Sequence, residues 1–298
     1  MQQITAHNGG FEGVIMPGSR SRTQPRRPLD VTFARRLHAY EAKVVQLENR
    51  AIAEEQDLQF IRARSVRIQS AFLRHRLVPV FQPIVDLRTR TATGCEALSR
   101  FQLEPFRPPD QWFAEAEAAG FGLELEMHAI RSAVRSRRGL PRDMYLSVNA
   151  SPQTLLSEDF STLVANMDGE SLVVEVTEHS AVEDYDALRA AIDQLRSHGV
   201  RLAIDDLGTG FASFMHIVKL LPEFIKLDLS LTRDIESDPV KQALTAALVG
   251  FSAQIGSQLI AEGVETEAEL RTLEGLGVES AQGYYLGAPA PSPPMSAQ

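Results

Sequence analysis

A chain of 298 residues with 44% apolar content has enough material for one barrel-sized domain with an extension, or for two smaller domains. Its one cysteine, Cys95, excludes an intrachain disulfide and a cysteine-built zinc site, and a lone thiol fits a reducing, cytoplasmic setting. The net charge of −9 is uneven: residues 1–76 carry 13 Lys/Arg against 7 Asp/Glu, the remainder 17 against 32, which speaks against a DNA or RNA groove and implies that an anionic substrate is met through cations.

Residues 1–30 mix Gly, Pro, Ser and Arg without a continuous apolar run, so they read as a disordered tail, neither signal peptide nor membrane span. The most apolar later window, 244–261, is broken by Ser252, Gln254, Ser257 and Gln258, and reads as barrel helix and strand, so no membrane span is expected. From Phe33 to Phe72, twelve positions recur at alternating spacings of four and three, and ten of them are apolar: Phe33, Leu37, Tyr40, Val44, Leu47, Ala51, Leu58, Ile61, Ile68 and Phe72. A helix this long cannot cover so narrow a seam itself, so a parallel coiled coil with a second copy is expected, running into the first strand.

From Leu77 onward, short β-rich runs at 78–87, 92–101, 144–149, 172–177, 201–206, 224–229, 258–263 and 278–282 alternate with amphipathic helical stretches such as 184–198, 239–255 and 266–276. This alternation predicts a mostly parallel sheet, and its length suits closure into a barrel. Runs such as Leu202-Ala203-Ile204 fit strands covered on both faces.

Polar residues terminate these runs: Asn149, Glu175 with Glu178, Asp205-Asp206, Lys226, Glu262 and Gln282. Any one alone reads as a helix cap or a surface ion pair. Arriving in succession at strand ends, they predict one pocket, because a barrel gathers the carboxyl ends of its strands on one face. So acidic a pocket needs cations to stay charged, and oxygen donors without Cys or His at ligand spacing favour Mg²⁺ or Mn²⁺. Asp205-Asp206 is the pair suited to bridging two ions, and Lys226 could orient or acidify an attacking water. The carboxylates by themselves leave open which phosphodiester is cut.

Over about 66–291 the chain resembles the EAL-domain cyclic-diguanylate phosphodiesterases. The matching blocks are Gln82 in Phe-Gln-Pro-Ile, Glu96-Ala97-Leu98 followed by Ser99-Arg100, Asn149, the Glu-Val-Thr-Glu of 175–178, Asp205-Asp206-Leu207-Gly208-Thr209-Gly210-Phe211, Ile225-Lys226-Leu227-Asp228, Ala261-Glu262-Gly263-Val264-Glu265 and Gln282-Gly283-Tyr284. The resemblance implies an α/β fold, a TIM-like (β/α)8 barrel with one antiparallel strand, the first; the long coiled-coil helix read from the heptad spacing precedes it. The boundaries expected are a tail over 1–30, coiled coil over 31–72, EAL phosphodiesterase domain over 73–291 and a tail over 292–298.

The resemblance further implies hydrolysis of cyclic diguanylate to linear pGpG by a two-metal mechanism using Mg²⁺ or Mn²⁺, two per site. Glu96, Asn149, Glu175, Asp205, Asp206 and Glu262 are the implied metal ligands. Glu262 is also the implied general base or water anchor, with Lys226 beside that water. Gln82, Leu98, Arg100 and Gln282 are assigned to substrate. Glu178, Gly208, Thr209, Gly210 and Glu265 are assigned to loop stability and regulation, and a homodimer through both the EAL domain and the coiled coil is expected. Leu207, Phe211, Ala212 and Phe214 depart mildly from the family's pattern, none at an implied ligand. The alternative is a catalytically silent cyclic-diguanylate receptor, disfavoured because every implied ligand is present. Cys95 and Trp112 are expected to be inert packing residues.

Overall fold

The computed structural model describes residues 31–73, 75–167, 171–177, 182–208 and 212–295. The expected N-terminal tail, the loop residues Thr209, Gly210 and Phe211, Glu178, His179 and the end of the C-terminal tail lie outside the described residues. The chain falls into two compact units, Met1–Leu58 and Gln59–Gln298.

Helix α1 spans Val31–Ala71. In the first unit, the seam residues Tyr40 and Leu47 are 68% and 57% exposed, so nothing described in the chain covers them. The end of the seam behaves differently. Within the second unit Ile68 is buried with Ala71, Trp112, Phe101 and Leu125, and Phe72 packs on the same cluster, so these two seam positions serve the barrel unit.

Eight strands close into a barrel in chain order: β1 (Leu77–Asp86), β2 (Thr91–Phe101), β3 (Tyr145–Asn149), β4 (Leu172–Thr177), β5 (Arg201–Leu207), β6 (Phe224–Leu227), β7 (Gln258–Ala261) and β8 (Ser280–Ala281). β1 is antiparallel to both neighbours, β2 and β8, and the other pairs are parallel. The expected (β/α)8 barrel with an antiparallel first strand is therefore present. β6 ends two residues earlier than its apolar run, because the Asp228 side chain accepts from Ser230 N at 2.9 Å and starts a helical turn.

The helices are α2 (Pro109–Ala118), α3 (Gly122–Ser136), α4 (Pro152–Leu155), α5 (Glu158–Ala165), α6 (Tyr185–Ser197), α7 (Ala212–Leu220), α8 (Leu229–Thr232), α9 (Pro239–Ile255) and α10 (Glu267–Gly275). Their ends follow local chemistry. Asp184 caps α6 by accepting from Asp186 N and Ala187 N, Asp238 caps α9 ahead of Pro239, and Thr266 with Glu269 forms a capping box on α10. No helix among the described residues is long and apolar enough to cross a membrane.

Strand alternation sorts the side chains. Leu146, Val148, Val174, Leu202, Ile204, Ile225, Leu227 and Leu259 point outward into the main core beneath the helices. Ile84, Tyr145, Val173, Ala203, Phe224 and Ile260 form a separate apolar layer inside the barrel, with Tyr145 stacked on Phe224 at 5.3 Å between ring centroids. This layer is the floor of the site.

Candidate active site

One alternation from each of these six floor residues, the chain presents a polar side chain. Ile84 gives way to Gln82 on the antiparallel β1, Tyr145 to Ser147, Val173 to Glu175, Ala203 to Asp205, Phe224 to Lys226 and Ile260 to Glu262. Glu96 lies opposite Gln82 in the β1–β2 ladder and opposite Ser147 in the β2–β3 ladder. The sequence-predicted residues thus reach one layer by parity and barrel closure.

Lys226 is its centre, 1% exposed. Its Nζ lies 2.7 Å from Glu175 Oε2, 2.7 Å from Glu262 Oε1, 3.1 Å from Asp205 Oδ1 and 3.4 Å from Glu96 Oε2. The second oxygens of Glu175 and Glu96 have their own donors. Ser147 Oγ donates to Glu175 Oε1 at 2.5 Å, and Asn149 Nδ2 to Glu96 Oε1 at 3.0 Å. Gln282 Nε2 donates to Glu96 Oε2 at 2.7 Å and to Gln82 Oε1 at 3.1 Å, while Gln82 Nε2 donates to the carbonyl of Gly287 at 3.2 Å.

Asp206 should point away from Asp205, because neighbours on a strand face opposite sides. It does not follow that rule. Its φ is +60°, the β5–β6 register breaks between Ile204 and Leu207, and its N–H donates to Asp205 Oδ1 at 3.0 Å. The left-handed turn costs about 1 kcal/mol for an Asp, which tolerates it better than most residues. In return, oxygens of Asp205, Asp206 and Glu262 lie within 4.8 Å of one another. Gly208, next along, has φ +127°, and a Cβ there would lie 2.7 Å from Leu231.

Four carboxylates around one ammonium are short of positive charge. Burial and the charge of Glu96 push the Glu175 carboxyl up to about 8, although Lys226 pulls the other way. Burial, with Asp205 and Glu96, likewise holds Glu262 well above the usual carboxylate range against the pull of Lys226. Burial opposes the charge of Lys226, but Asp205, Glu175, Glu262 and Glu96 outweigh it and raise its pKa well above the ordinary value. Burial also opposes ionisation of Glu96, yet Lys226 and the Gln282 and Asn149 amides prevail, so its pKa is lowered. Such carboxyls fit divalent cations, whose binding would displace the held protons. The oxygen-only donor set fits Mg²⁺ or Mn²⁺.

Beside this layer lies a cavity of about 380 Å³, lined among others by Leu98, Arg100, Asn149, Asp110, Phe113 and Glu126. Of the residues assigned to substrate, Leu98 and Arg100 face this cavity, whereas Gln82 and Gln282 belong to the carboxylate layer. Arg100 Nη1 donates to the carbonyl of Ser99 at 2.9 Å. Glu265 stands outside the layer, on the surface, paired with Arg233 at 2.9 Å. Cys95 is a buried strand residue whose thiol burial pushes up to about 12, and Trp112 is fully buried. Ser147 is a site residue missing from the sequence reading. Its signal was present: it stands two residues before Asn149 on the same strand face.

The model of the EAL domain family matches residues 65–289. The chain belongs to the EAL domain family. Among its relatives, the cyclic di-GMP phosphodiesterase PdeL of Escherichia coli is 28% identical over 236 residues, covering 75% of this chain and 65% of PdeL. The structure of the PaMucR phosphodiesterase in complex with c-di-GMP has a TM-score of 0.68 and 29% identity, covering 77% of this chain and 98% of that one. The manganese/cy-diGMP complex of Klebsiella pneumoniae BlrP1 has a TM-score of 0.65 and 29% identity, covering 73% of this chain and 57% of BlrP1. This EAL chain therefore spans less than two thirds of PdeL and of BlrP1.

Proposed function

We propose that the chain hydrolyses cyclic diguanylate to linear pGpG with two Mg²⁺ or Mn²⁺ ions per site. The observation that carries the reading is the buried ring of Glu96, Glu175, Asp205 and Glu262 about Lys226, with Asp205, Asp206 and Glu262 oxygens within 4.8 Å. Membership of the EAL family, the named activity of PdeL and the manganese in the BlrP1 complex support it.

Asp205, Asp206 and Glu262, with Glu96, Asn149 and Glu175, would hold the cations. When bound, these would polarise the phosphodiester and make water a better nucleophile at neutral pH. Glu262, 18% exposed at the mouth, takes the proton of the attacking water, a task suited to a carboxyl whose pKa is raised. Lys226 keeps Glu262 in position through its 2.7 Å contact and neutralises charge as the oxyanion develops. Arg100, at the adjoining cavity, binds a phosphate of the dinucleotide, and Gln82 and Gln282 orient it.

The domain assigned to this chemistry runs over 73–291, and the part of α1 within the first unit is the dimerising coiled coil, whose exposed Tyr40 and Leu47 are met by a second copy. A cytoplasmic setting fits the single buried thiol. Incubating the chain with cyclic diguanylate and Mg²⁺ or Mn²⁺, with and without EDTA, tests the function. Metal-dependent appearance of pGpG is expected; tight binding without turnover would overturn it.

A further inference from the structure

Outside the mouth, Glu115 on α2 is a buried carboxylate, only 7% exposed, that meets several guanidinium groups. Its Oε1 accepts from Arg67 Nε at 2.9 Å and Nη2 at 2.5 Å, and its Oε2 accepts from Arg107 Nη1 at 2.7 Å. Arg64 Nε adds a third guanidinium at 3.7 Å. Arg64 and Arg67 belong to the last turns of α1, and Arg107 to the segment before α2. Burying a carboxylate is costly, and holding three cations on it is more than solubility or a surface pair requires.

Helix geometry says what these bonds restrain. Trp112 and Ala116, on the same side of α2 as Glu115, belong to one buried apolar cluster with Ile68 and Ala71 of α1. Pro109, Asp110 and Phe113, on the neighbouring side, line the cavity shared with Leu98, Arg100 and Asn149. α2 is thus one rigid piece with the end of α1 on one side and the cavity on the other. Arg107 is itself held over the Trp112 ring, 5.5 Å from its centroid, which aims the guanidinium at the carboxylate.

We propose that Glu115 is a positioning residue: by clamping α2 to the end of α1 it fixes the α2 wall of the substrate cavity, so that dinucleotide affinity depends on how residues 59–71 are seated. The inference rests on the reading of that cavity as a substrate site. Glu115→Gln keeps the volume but not the charge, and Arg67→Met breaks the clamp from the helix side with little change in packing. In the full chain with Mn²⁺, each variant raises KM for cyclic diguanylate about three- to tenfold and leaves kcat within about twofold, the double variant being no worse than the worse single one. Amide hydrogen exchange speeds up in 59–71 and 109–118 and not in β5 or β6.

Unchanged KM with unchanged exchange overturns the clamp, and so does a loss confined to kcat. Should Glu115→Gln fail to fold, the Arg67→Met outcomes decide. A wild-type chain that neither binds nor cleaves cyclic diguanylate removes the functional reading instead; faster exchange in α2 of the variants then still supports the clamp, and equal exchange overturns it.

Discussion

Replacing Glu175 with Gln in the metal-free chain deletes one titrating carboxyl from the centre of the site while keeping its shape. A glutamate carboxyl titrates near 4.5 when unfolded, but Glu175 titrates at about 8 in the folded chain because burial and Glu96 oppose its charge. Between those values the folded chain holds a proton that the unfolded chain has released. The stabilisation is complete below about pH 4.5 and is lost as pH rises toward 8. Each pH unit in that window costs about 1.4 kcal/mol, so about 4 kcal/mol is the ceiling between pH 5 and 8. For a unit of this size that is about 10 °C in Tm.

Neither Glu96, whose lowered pKa acts below 4.5, nor Lys226, whose raised pKa acts above 10.5, contributes in this window. Glu262 acts in the same sense as Glu175, so the Glu175→Gln slope flattens without vanishing. Thermal and urea unfolding in EDTA at pH 5, 6, 7 and 8 measures this. Equal stability of the metal-free wild type at pH 5 and 8, or an undiminished slope in Glu175→Gln, refutes the electrostatic reasoning. Saturating Mn²⁺ stabilises more at pH 8 than at pH 5, because cations and protons compete for the same oxygens.

Glu262→Ala lowers turnover by at least about a hundredfold while the chain still folds, since it removes a mouth carboxyl and no core volume; unchanged pGpG formation contradicts the assigned role. Gly283→Ala destabilises by about 3 kcal/mol, because its Cβ would lie 2.2 Å from both N and O of Val264 and the backbone has to move; a urea-derived change below about 0.5 kcal/mol excludes that account. Light scattering at micromolar concentration finds the full chain dimeric and Leu47→Glu shifted toward monomer; a monomeric wild type rules out the heptad reading.

The individual polar residues were legible because apolar runs ended on them, and strand parity is a local property that survives in a linear sequence. Asn149, Glu175, Asp205 and Lys226 could be placed on one face without coordinates. Their common meeting point around Lys226 could not, since the distances depend on barrel closure. Ser147 had the right parity but reads as an ordinary strand serine until the 2.5 Å bond to Glu175 is seen. The seam on α1 was likewise legible as periodicity, but periodicity is silent on which partner covers each turn, and Ile68 is buried beside Trp112.

Sequence alone determined the alternation of strands and helices and the types of atom offered at the mouth, because pattern and composition act over a few residues at a time; the closed barrel was what the family resemblance implied. Tertiary structure alone decided that Asp206 turns back toward Asp205 through a positive φ, and that Glu115 is claimed by Arg67, 48 residues away. Backbone handedness at a single residue and contacts between distant segments are consequences of how the whole chain packs, and no local pattern encodes them.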